Sequence, residues 1–193
     1  VILGLIDRML AGYGQNPRLT RMLDDLVIYW VPAVCVDSFV SRSRYVEGRD
    51  PNRDYAWPEN PERVPQTQCI RDLLGFFHSH PKIVGTMDFH AAGSMIMYPW
   101  AYTYERPEAD YDAKLDALTT HMAEANGFAH GTIAETIYVA KGSSADYYHW
   151  KTGVVATAVE VSRNFVAPDR VRDDIVTENT ESSWRFIESF LAP

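Results

Sequence analysis

The feature that most constrains this chain is an apolar run over residues 153–161, which carries hydrophobic side chains on both faces and ends beside Glu160. A strand that is apolar on both faces has to be covered on both faces, which is typical of α/β sheets. A second apolar run, residues 83–90, ends in His90. Other apolar residues recur at helical intervals before, between and after these runs. We therefore expect an α/β fold with a mixed β-sheet flanked by helices.

Periodicity also predicts the individual elements. The predicted helices cover residues 2–13, 66–78, 111–125 and 173–191. The predicted strands cover residues 26–31, continuing at 33–36 after Pro32, and residues 83–90, 95–98 and 153–161. Residues 41–65 are polar, contain four prolines and have no periodicity, so we expect a long loop with a functional role.

Composition limits the classes of partner. The chain has 193 residues, 46% of them hydrophobic, which is enough for one core and one domain. A formal charge of −8 argues against a nucleic-acid or anionic-membrane partner, and no apolar run is long enough to span a bilayer.

Cys35 lies in an apolar run, and two cysteines do not form a disulfide framework, so we expect Cys35 to be a buried free thiol.

Two polar side chains fall at the carboxyl ends of predicted strands, where α/β sheets bind ligands: His90 and Glu160. Ala156 and Ala158 share a face with Glu160 and leave room for a ligand. The ordinary alternatives are a core histidine and a solvated glutamate. Asp88 shares a face with His90, either as a partner that orients a metal-bound imidazole or as an ordinary paired aspartate.

Two motifs and the two strand-end residues occur in a characteristic order. Asn52-Arg53 lies in the loop, and Tyr98-Pro99-Trp100-Ala101-Tyr102 follows His90 and a short strand. In this order and spacing, with Glu160 after them, they resemble the zinc carboxypeptidases of the carboxypeptidase A and B type. The resemblance runs from Tyr13-Gly14-Gln15-Asn16-Pro17 to the helix around Trp184.

The resemblance implies that residues 1–193 are the C-terminal two-thirds of a single catalytic domain of the M14 type. The missing part would hold N-terminal strands of the sheet and the family's paired ligands, His-x-x-Glu, on a segment upstream of Val1. We expect no such pair within residues 1–193, and the resemblance gives His121 no role. It implies one Zn²⁺ bound by His90 and by two ligands from that upstream segment. Catalytic zinc sites use three protein ligands and keep a fourth position for water.

The resemblance also implies roles for the remaining residues. Glu160 matches the general base that activates water at the zinc and later passes the proton to the departing amine. Asn52 and Arg53 match the pair that holds the free C-terminal carboxylate of the substrate, although an ordinary surface arginine is the alternative. An upstream arginine stabilises the oxyanion, and Arg44 is our choice, with Arg42 as the competitor.

Two further positions concern the terminal side chain of the substrate. Tyr138 matches the mobile tyrosine that closes over the substrate, with a strand-end core tyrosine as the alternative. Ala145 matches the base of the side-chain pocket, where the family carries an acidic residue when basic termini are cleaved. Alanine supplies no charge, so we expect neutral terminal residues. Lys141 lies nearby in the sequence. It would favour an acidic terminal residue if it faced the substrate, and an ordinary solvated lysine is the alternative.

The implied activity is a zinc-dependent metallocarboxypeptidase acting on peptides with a free C-terminal carboxylate. The alternatives are an amidase on cell-wall peptides, which related folds cleave, and a non-catalytic peptide-binding relative without a complete zinc site. An extracellular or periplasmic location is favoured by the resemblance alone.

Overall fold

A mixed four-stranded sheet forms the centre of the protein, as the sequence predicts. The computed structural model describes residues 1–192. The strands are β1 (Gly85–His90), β2 (Met95–Tyr98), β3 (Ala129–Thr132) and β4 (Val155–Glu160). Their order in the sheet is β1-β4-β2-β3. β1 runs parallel to β4 and β2 parallel to β3, whereas β2 and β4 are antiparallel.

Eight helices surround this sheet in the described part of the chain. They are α1 (Ile2–Gly12), α2 (Pro17–Asp25), α3 (Val36–Val40), α4 (Gln68–Ser79), α5 (Ala109–Ala123), α6 (Ile133–Thr136), α7 (Ser144–Thr152) and α8 (Arg172–Glu188). Two 3₁₀ turns, Pro51–Arg53 and Asp169–Val171, complete the regular structure. No helix within residues 1–192 combines the length and the apolar character needed to cross a bilayer.

The sheet separates two hydrophobic cores. One core joins Met97, Ala156 and Ala158 to the buried faces of α4 and α7. The other joins Val155 and Val159 to α1, α2, α5 and α8. Successive side chains of β4 alternate between the two cores, which explains why this strand is apolar on both faces. Glu160 belongs to the face of Ala156 and Ala158, as predicted.

Most predicted elements are present, with ends shifted by at most three residues. The predicted strand over residues 26–31 and 33–36 is wrong. Leu26, Ile28 and Trp30 pack against the second core, while Val27 and Tyr29 are 79% and 48% exposed. The alternation suits a strand, but no strand of residues 1–192 pairs with this segment, and residues from Val36 onward form α3.

Cys35 and Cys69 form a disulfide, so the expected free thiol at Cys35 is wrong. The bond joins the N-cap of α3 to the second residue of α4, 34 residues later in sequence. The two cysteines belong to predicted elements of different type, which gives no sequence signal that they meet. The enclosed segment contains the long loop 41–65, so this loop is fixed to the first core at both ends.

Asp54 anchors the same loop from inside. Its carboxylate is 1% exposed and accepts hydrogen bonds from the N–H of Gln66 (2.8 Å), the N–H of Thr67 (2.7 Å) and the Thr67 hydroxyl (2.8 Å). Arg63 Nη2 lies 3.0 Å from its other oxygen. Burial alone would raise the pKa of Asp54, but these donors and the Arg63 charge outweigh burial and lower it.

Removing the disulfide should destabilise the protein. In the chain-entropy treatment, a cross-link that closes a loop of this length stabilises the folded state by about 3 to 4 kcal/mol. We expect Cys35→Ser/Cys69→Ser to lower the free energy of unfolding by about that amount, measured by urea denaturation. Dithiothreitol should destabilise the wild type similarly and leave the double variant unchanged. Equal urea midpoints for the oxidised wild type and the double variant would contradict the disulfide.

Neutralising Asp54 should lower stability in a pH-dependent way. Asp54→Asn weakens contacts to buried donors, so we expect a loss of about 1 to 3 kcal/mol at pH 7. Because the folded-state pKa of Asp54 is lowered, its contribution is present above the unfolded pKa of about 3.9 and is lost as pH falls further. Denaturation curves of the two proteins should therefore converge in acid. A pH-independent difference would mean that the carboxylate charge does not matter.

Candidate active site

One cavity of about 140 Å³ lies on the side of the sheet that carries the first core. All seven residues to which the resemblance assigns a catalytic, binding or metal-ligating role line it, although they are far apart along the chain, whereas Asp88 does not line it. They are Arg44, Asn52, Arg53, His90, Tyr138, Ala145 and Glu160. The long loop supplies three of them, the ends of β1 and β4 supply two, and the segment leading into α7 together with its first turn supplies the others.

His90 and Glu160 are brought together by strand register. They are direct partners in the parallel pairing of β1 with β4. Both present buried atoms without hydrogen-bond partners in the described structure, namely His90 Nε2 and Glu160 Oε2. Burial raises the pKa of Glu160, while His90 and Arg44 nearby counteract part of the shift. Buried polar atoms without partners are rare and point to an interaction that the chain itself does not supply.

The imidazole of His90 suits one position of a zinc site, because its buried Nε2 is free to bind. Residues 1–192 contain no group of three His, Cys, Asp or Glu side chains placed to hold a metal ion. The spacing His-x-x-Glu does occur once, at His121 and Glu124, so the expectation that residues 1–193 lack it is wrong. These two side chains contact each other on the surface near the end of α5. Helix α5 packs against the opposite face of the sheet, so neither side chain lines the cavity.

Asn52 and Arg53 lie on the short 3₁₀ turn of residues 51–53. Asp50 caps this turn by accepting the N–H of Asn52 at 3.0 Å. The Asn52 Oδ1 accepts the N–H of Ser144 at 2.9 Å and contacts the Ser144 hydroxyl at 3.2 Å. Arg53 Nη2 donates to the hydroxyl of Tyr138 at 2.9 Å. The turn therefore presents an amide and a guanidinium to the cavity in a fixed arrangement.

Of the two candidate arginines in the loop, Arg44 lines the cavity and Arg42 does not. Arg44 Nε and Nη2 both lie 2.8 Å from Asp50 Oδ2. The same aspartate thus contacts Arg44 and caps the turn that carries Asn52. Its carboxylate connects two of the residues that line the cavity.

The segment before α7 forms the far wall. Tyr138 is 52% exposed, whereas Ala145 is 2% exposed at the start of α7. Lys141 does not line the cavity. Its ammonium group pairs with Glu59 at 2.7 Å, so it does not face a ligand in the cavity and is not an isolated solvated lysine.

Sequence reasoning missed two residues that shape the wall. Ser144 lines the cavity and donates its hydroxyl to Asp88, so Asp88 bonds to α7 and not to His90. Asp146 is fully buried and accepts the N–H of Ala101 at 2.7 Å and of Tyr102 at 2.9 Å. Burial raises the pKa of Asp146 to about 7, against the lowering effect of these N–H donors. The partners of Asp88 and Asp146 depend on where α7 packs.

Comparison with known proteins identifies the family of this chain. The family Peptidase_M14, zinc carboxypeptidase, matches residues 1–182. Carboxypeptidase A1 of Mus musculus is 27% identical over 173 residues, covering 72% of this chain and 41% of the relative. Carboxypeptidase B of Homo sapiens is 26% identical over 171 residues, covering 70% and 40%. The chain thus spans about two-fifths of the length of these relatives.

Solved structures give the same fold. A crystal structure of thrombin activatable fibrinolysis inhibitor superposes with a TM-score of 0.85 at 18% identity, covering 97% of this chain and 57% of the other. The carboxypeptidase A of Helicoverpa armigera superposes with a TM-score of 0.61, covering 70% and 40%. With the sequence match over residues 1–182, these comparisons show that the chain belongs to the zinc carboxypeptidase family.

Proposed function

We propose that the complete protein is a zinc-dependent metallocarboxypeptidase that hydrolyses the C-terminal peptide bond of peptides or proteins. The observation that carries this proposal is the meeting of all seven sequence-identified residues in one cavity. An imidazole, a buried carboxylate, two guanidiniums and an amide converge there from distant parts of the chain. Residues 1–193 are, in this proposal, the C-terminal two-thirds of one catalytic domain.

Asn52 and Arg53 hold the carboxylate of the substrate. The Oδ1 of Asn52 accepts the N–H of Ser144, so its amide NH₂ is the group left to donate into the cavity. The planar guanidinium of Arg53 offers two parallel donors that match a carboxylate. A Tyr138 hydroxyl now occupies one of these donors, so Tyr138 yields this bond when the substrate enters.

Glu160 is the general base. Its buried Oε2 has no partner, and its raised pKa suits a group that takes a proton from water and returns it to the departing amine. Arg44 lies on the same cavity and stabilises the negative oxygen that develops at the scissile carbonyl. His90 would hold zinc through Nε2, with two further ligands from a segment upstream of Val1. Zinc, when bound, polarises the carbonyl and lowers the pKa of water.

A specific observation favours a second candidate, a non-catalytic peptide-binding relative. Residues 1–192 provide no three-ligand metal group. Against this candidate, the chain covers only about 41% of carboxypeptidase A1 of Mus musculus, which is consistent with further ligands on a missing segment. A pure binding module gains nothing from a buried carboxylate beside a histidine whose Nε2 is free.

An amidase on cell-wall peptides is less well supported, because Asn52 and Arg53 are suited to a free terminal carboxylate.

The base is tested by Glu160→Gln in the complete protein. We expect one zinc per protein in both wild type and variant, measured by elemental analysis, because Glu160 is not a ligand. The rate of hydrolysis should fall by on the order of 10² to 10⁴-fold, since general acid and base groups contribute in that range. A variant that keeps full activity would reassign the base. Absence of stoichiometric zinc from active wild type would exclude the mechanism.

The carboxylate clamp is tested by Arg53→Lys, which replaces a bidentate fork by a point charge. We expect the preference for peptides with free over amidated C-termini to fall, measured as the ratio of kcat/KM values. Arg49→Lys is a matched control, because Arg49 lies in the same loop, is exposed and does not line the cavity. An equal loss on both peptides in Arg53→Lys would indicate a structural role for Arg53.

A further inference from the structure

We propose that Gly142 is a positioning residue for the carboxylate clamp, because it fixes the backbone from which Asn52 and Arg53 reach the terminal carboxylate of a substrate. This inference rests on the proposed function. Gly142 does not line the cavity, so it acts through Asn52 and Arg53 and not by contact with the substrate. The geometry behind it is a close approach of two backbone segments, residues 51–55 and residues 138–144.

The backbone of Gly142 has a conformation that other residues rarely adopt. Its φ is +80°, in the left-handed region, where a β-carbon is strained and glycine is favoured. Lys141 on one side pairs with Glu59 outside the cavity, and Ser143 on the other side lines the cavity and caps α7. The left-handed turn at Gly142 therefore lies where the chain passes from the surface to the cavity wall.

A β-carbon has no room at Gly142. In ideal geometry it would lie 2.7 Å from the carbonyl oxygen of Arg53, 2.9 Å from the carbonyl carbon of Arg53 and 3.2 Å from the carbonyl oxygen of Tyr55. Close carbon–oxygen contacts in proteins normally lie at about 3.3 Å or more. All three neighbouring atoms belong to the backbone and cannot rotate away as the end of a side chain can. A side chain at position 142 therefore has to displace the backbone of Arg53.

Two hydrogen bonds join the segments on either side of this close approach. The N–H of Tyr55 donates to the carbonyl oxygen of Gly142 at 3.3 Å. Two residues further along, the N–H of Ser144 donates to Asn52 Oδ1 at 2.9 Å. Both bonds depend on the separation of the two backbones, so a displacement at Gly142 alters the position of the Asn52 amide as well.

The guanidinium of Arg53 follows the backbone of the same turn. Its Nη1 donates to the carbonyl oxygen of Asn52 at 2.5 Å, so a shift of this backbone moves the guanidinium with it. A guanidinium binds a carboxylate through two parallel N–H donors, which requires a defined orientation. A misplacement of about 1 Å can cost on the order of 100-fold in rate, so a smaller shift should cost on the order of 10-fold.

The test is Gly142→Ala in the complete protein, assayed on two peptides that differ only in having a free or an amidated C-terminus. We expect the ratio of their kcat/KM values, free over amidated, to fall by on the order of 10-fold, mainly through a higher KM for the free peptide. The amidated peptide should lose less, because it has no carboxylate for the clamp to bind.

Gly127→Ala is the matched control. Gly127 has a φ of +72°, and a β-carbon there would meet nothing within 4 Å, so this variant carries a similar backbone strain without the contact. We expect it to leave the ratio unchanged. Combining Gly142→Ala with Arg53→Lys should lower the ratio little further than Arg53→Lys alone, because both changes act on the same clamp.

An equal loss on both peptides in Gly142→Ala would overturn the proposal, because Gly142 would then serve only folding. An unchanged ratio, or a wild type without preference for the free terminus, would overturn it as well. If Gly142→Ala does not fold, Gly142→Asn takes its place, with Gly127→Asn as control. Asparagine tolerates positive φ better than alanine and still adds the β-carbon beside Arg53.

Calorimetric binding of both peptides to Glu160→Gln protein, with and without Gly142→Ala, separates this inference from the proposed function. If wild type hydrolyses neither peptide but Gly142→Ala reduces the binding preference for the free terminus, Gly142 is supported and the peptidase is refuted. If wild type hydrolyses the free peptide and Gly142→Ala leaves the preference unchanged, the peptidase is supported and the role of Gly142 is refuted.

Discussion

The parallel pairing of β1 with β4 is the interaction on which the rest of the site depends. It aligns His90 with Glu160 and Asp88 with Ala158 in two neighbouring rows on one face of the sheet, and His90, Glu160 and Ala158 line the cavity. A shift of β4 by one residue in this register would move Ala158 and Glu160 to the opposite face, against α5 and α8. The alternating small and bulky residues of β4 prevent that shift, because Val155 and Val159 fill the second core while alanines leave space on the first.

The loop that carries Arg44, Asn52 and Arg53 has almost no regular structure, yet it is held at several points. The disulfide fixes it at both ends, and Asp54 fixes it in the middle through buried donors. Backbone hydrogen bonds of a 3₁₀ turn alone would not hold an amide and a guanidinium in place. A loop anchored in this way combines the variability of loops with the rigidity that recognition of a planar carboxylate requires.

Much of the fold and the choice of cavity residues could be predicted from sequence, because both depend on local periodicity and on motifs. Strands β1, β2 and β4 and four helices follow from apolar spacing. Helix α7 was missed because it is buried nearly all round and carries no amphipathic pattern. Strand β3 was missed because Ala129, His130 and Gly131 have weak strand propensity, and its pairing with β2 forms it.

What sequence could not provide is which side chains meet across the fold. The disulfide joins cysteines 34 residues apart, and the partner of Asp88 is a serine 56 residues later. Asp88 and His90 share a strand face, which suggested that they bond to each other, but the hydroxyl at the start of α7 lies closer to the carboxylate. Such contacts depend on the packing of α7 against the sheet, which no local pattern contains.

The contacts of Ser144 have a consequence for how Asn52 and Asp88 affect each other. Its hydroxyl touches both Asn52 Oδ1 and Asp88 but has only one proton, so it donates to one of them at a time. A substitution that removes one acceptor leaves the proton to the other. Asn52 and Asp88 are therefore thermodynamically coupled through one hydroxyl, and the energetic effects of changing both are not the sum of the separate effects.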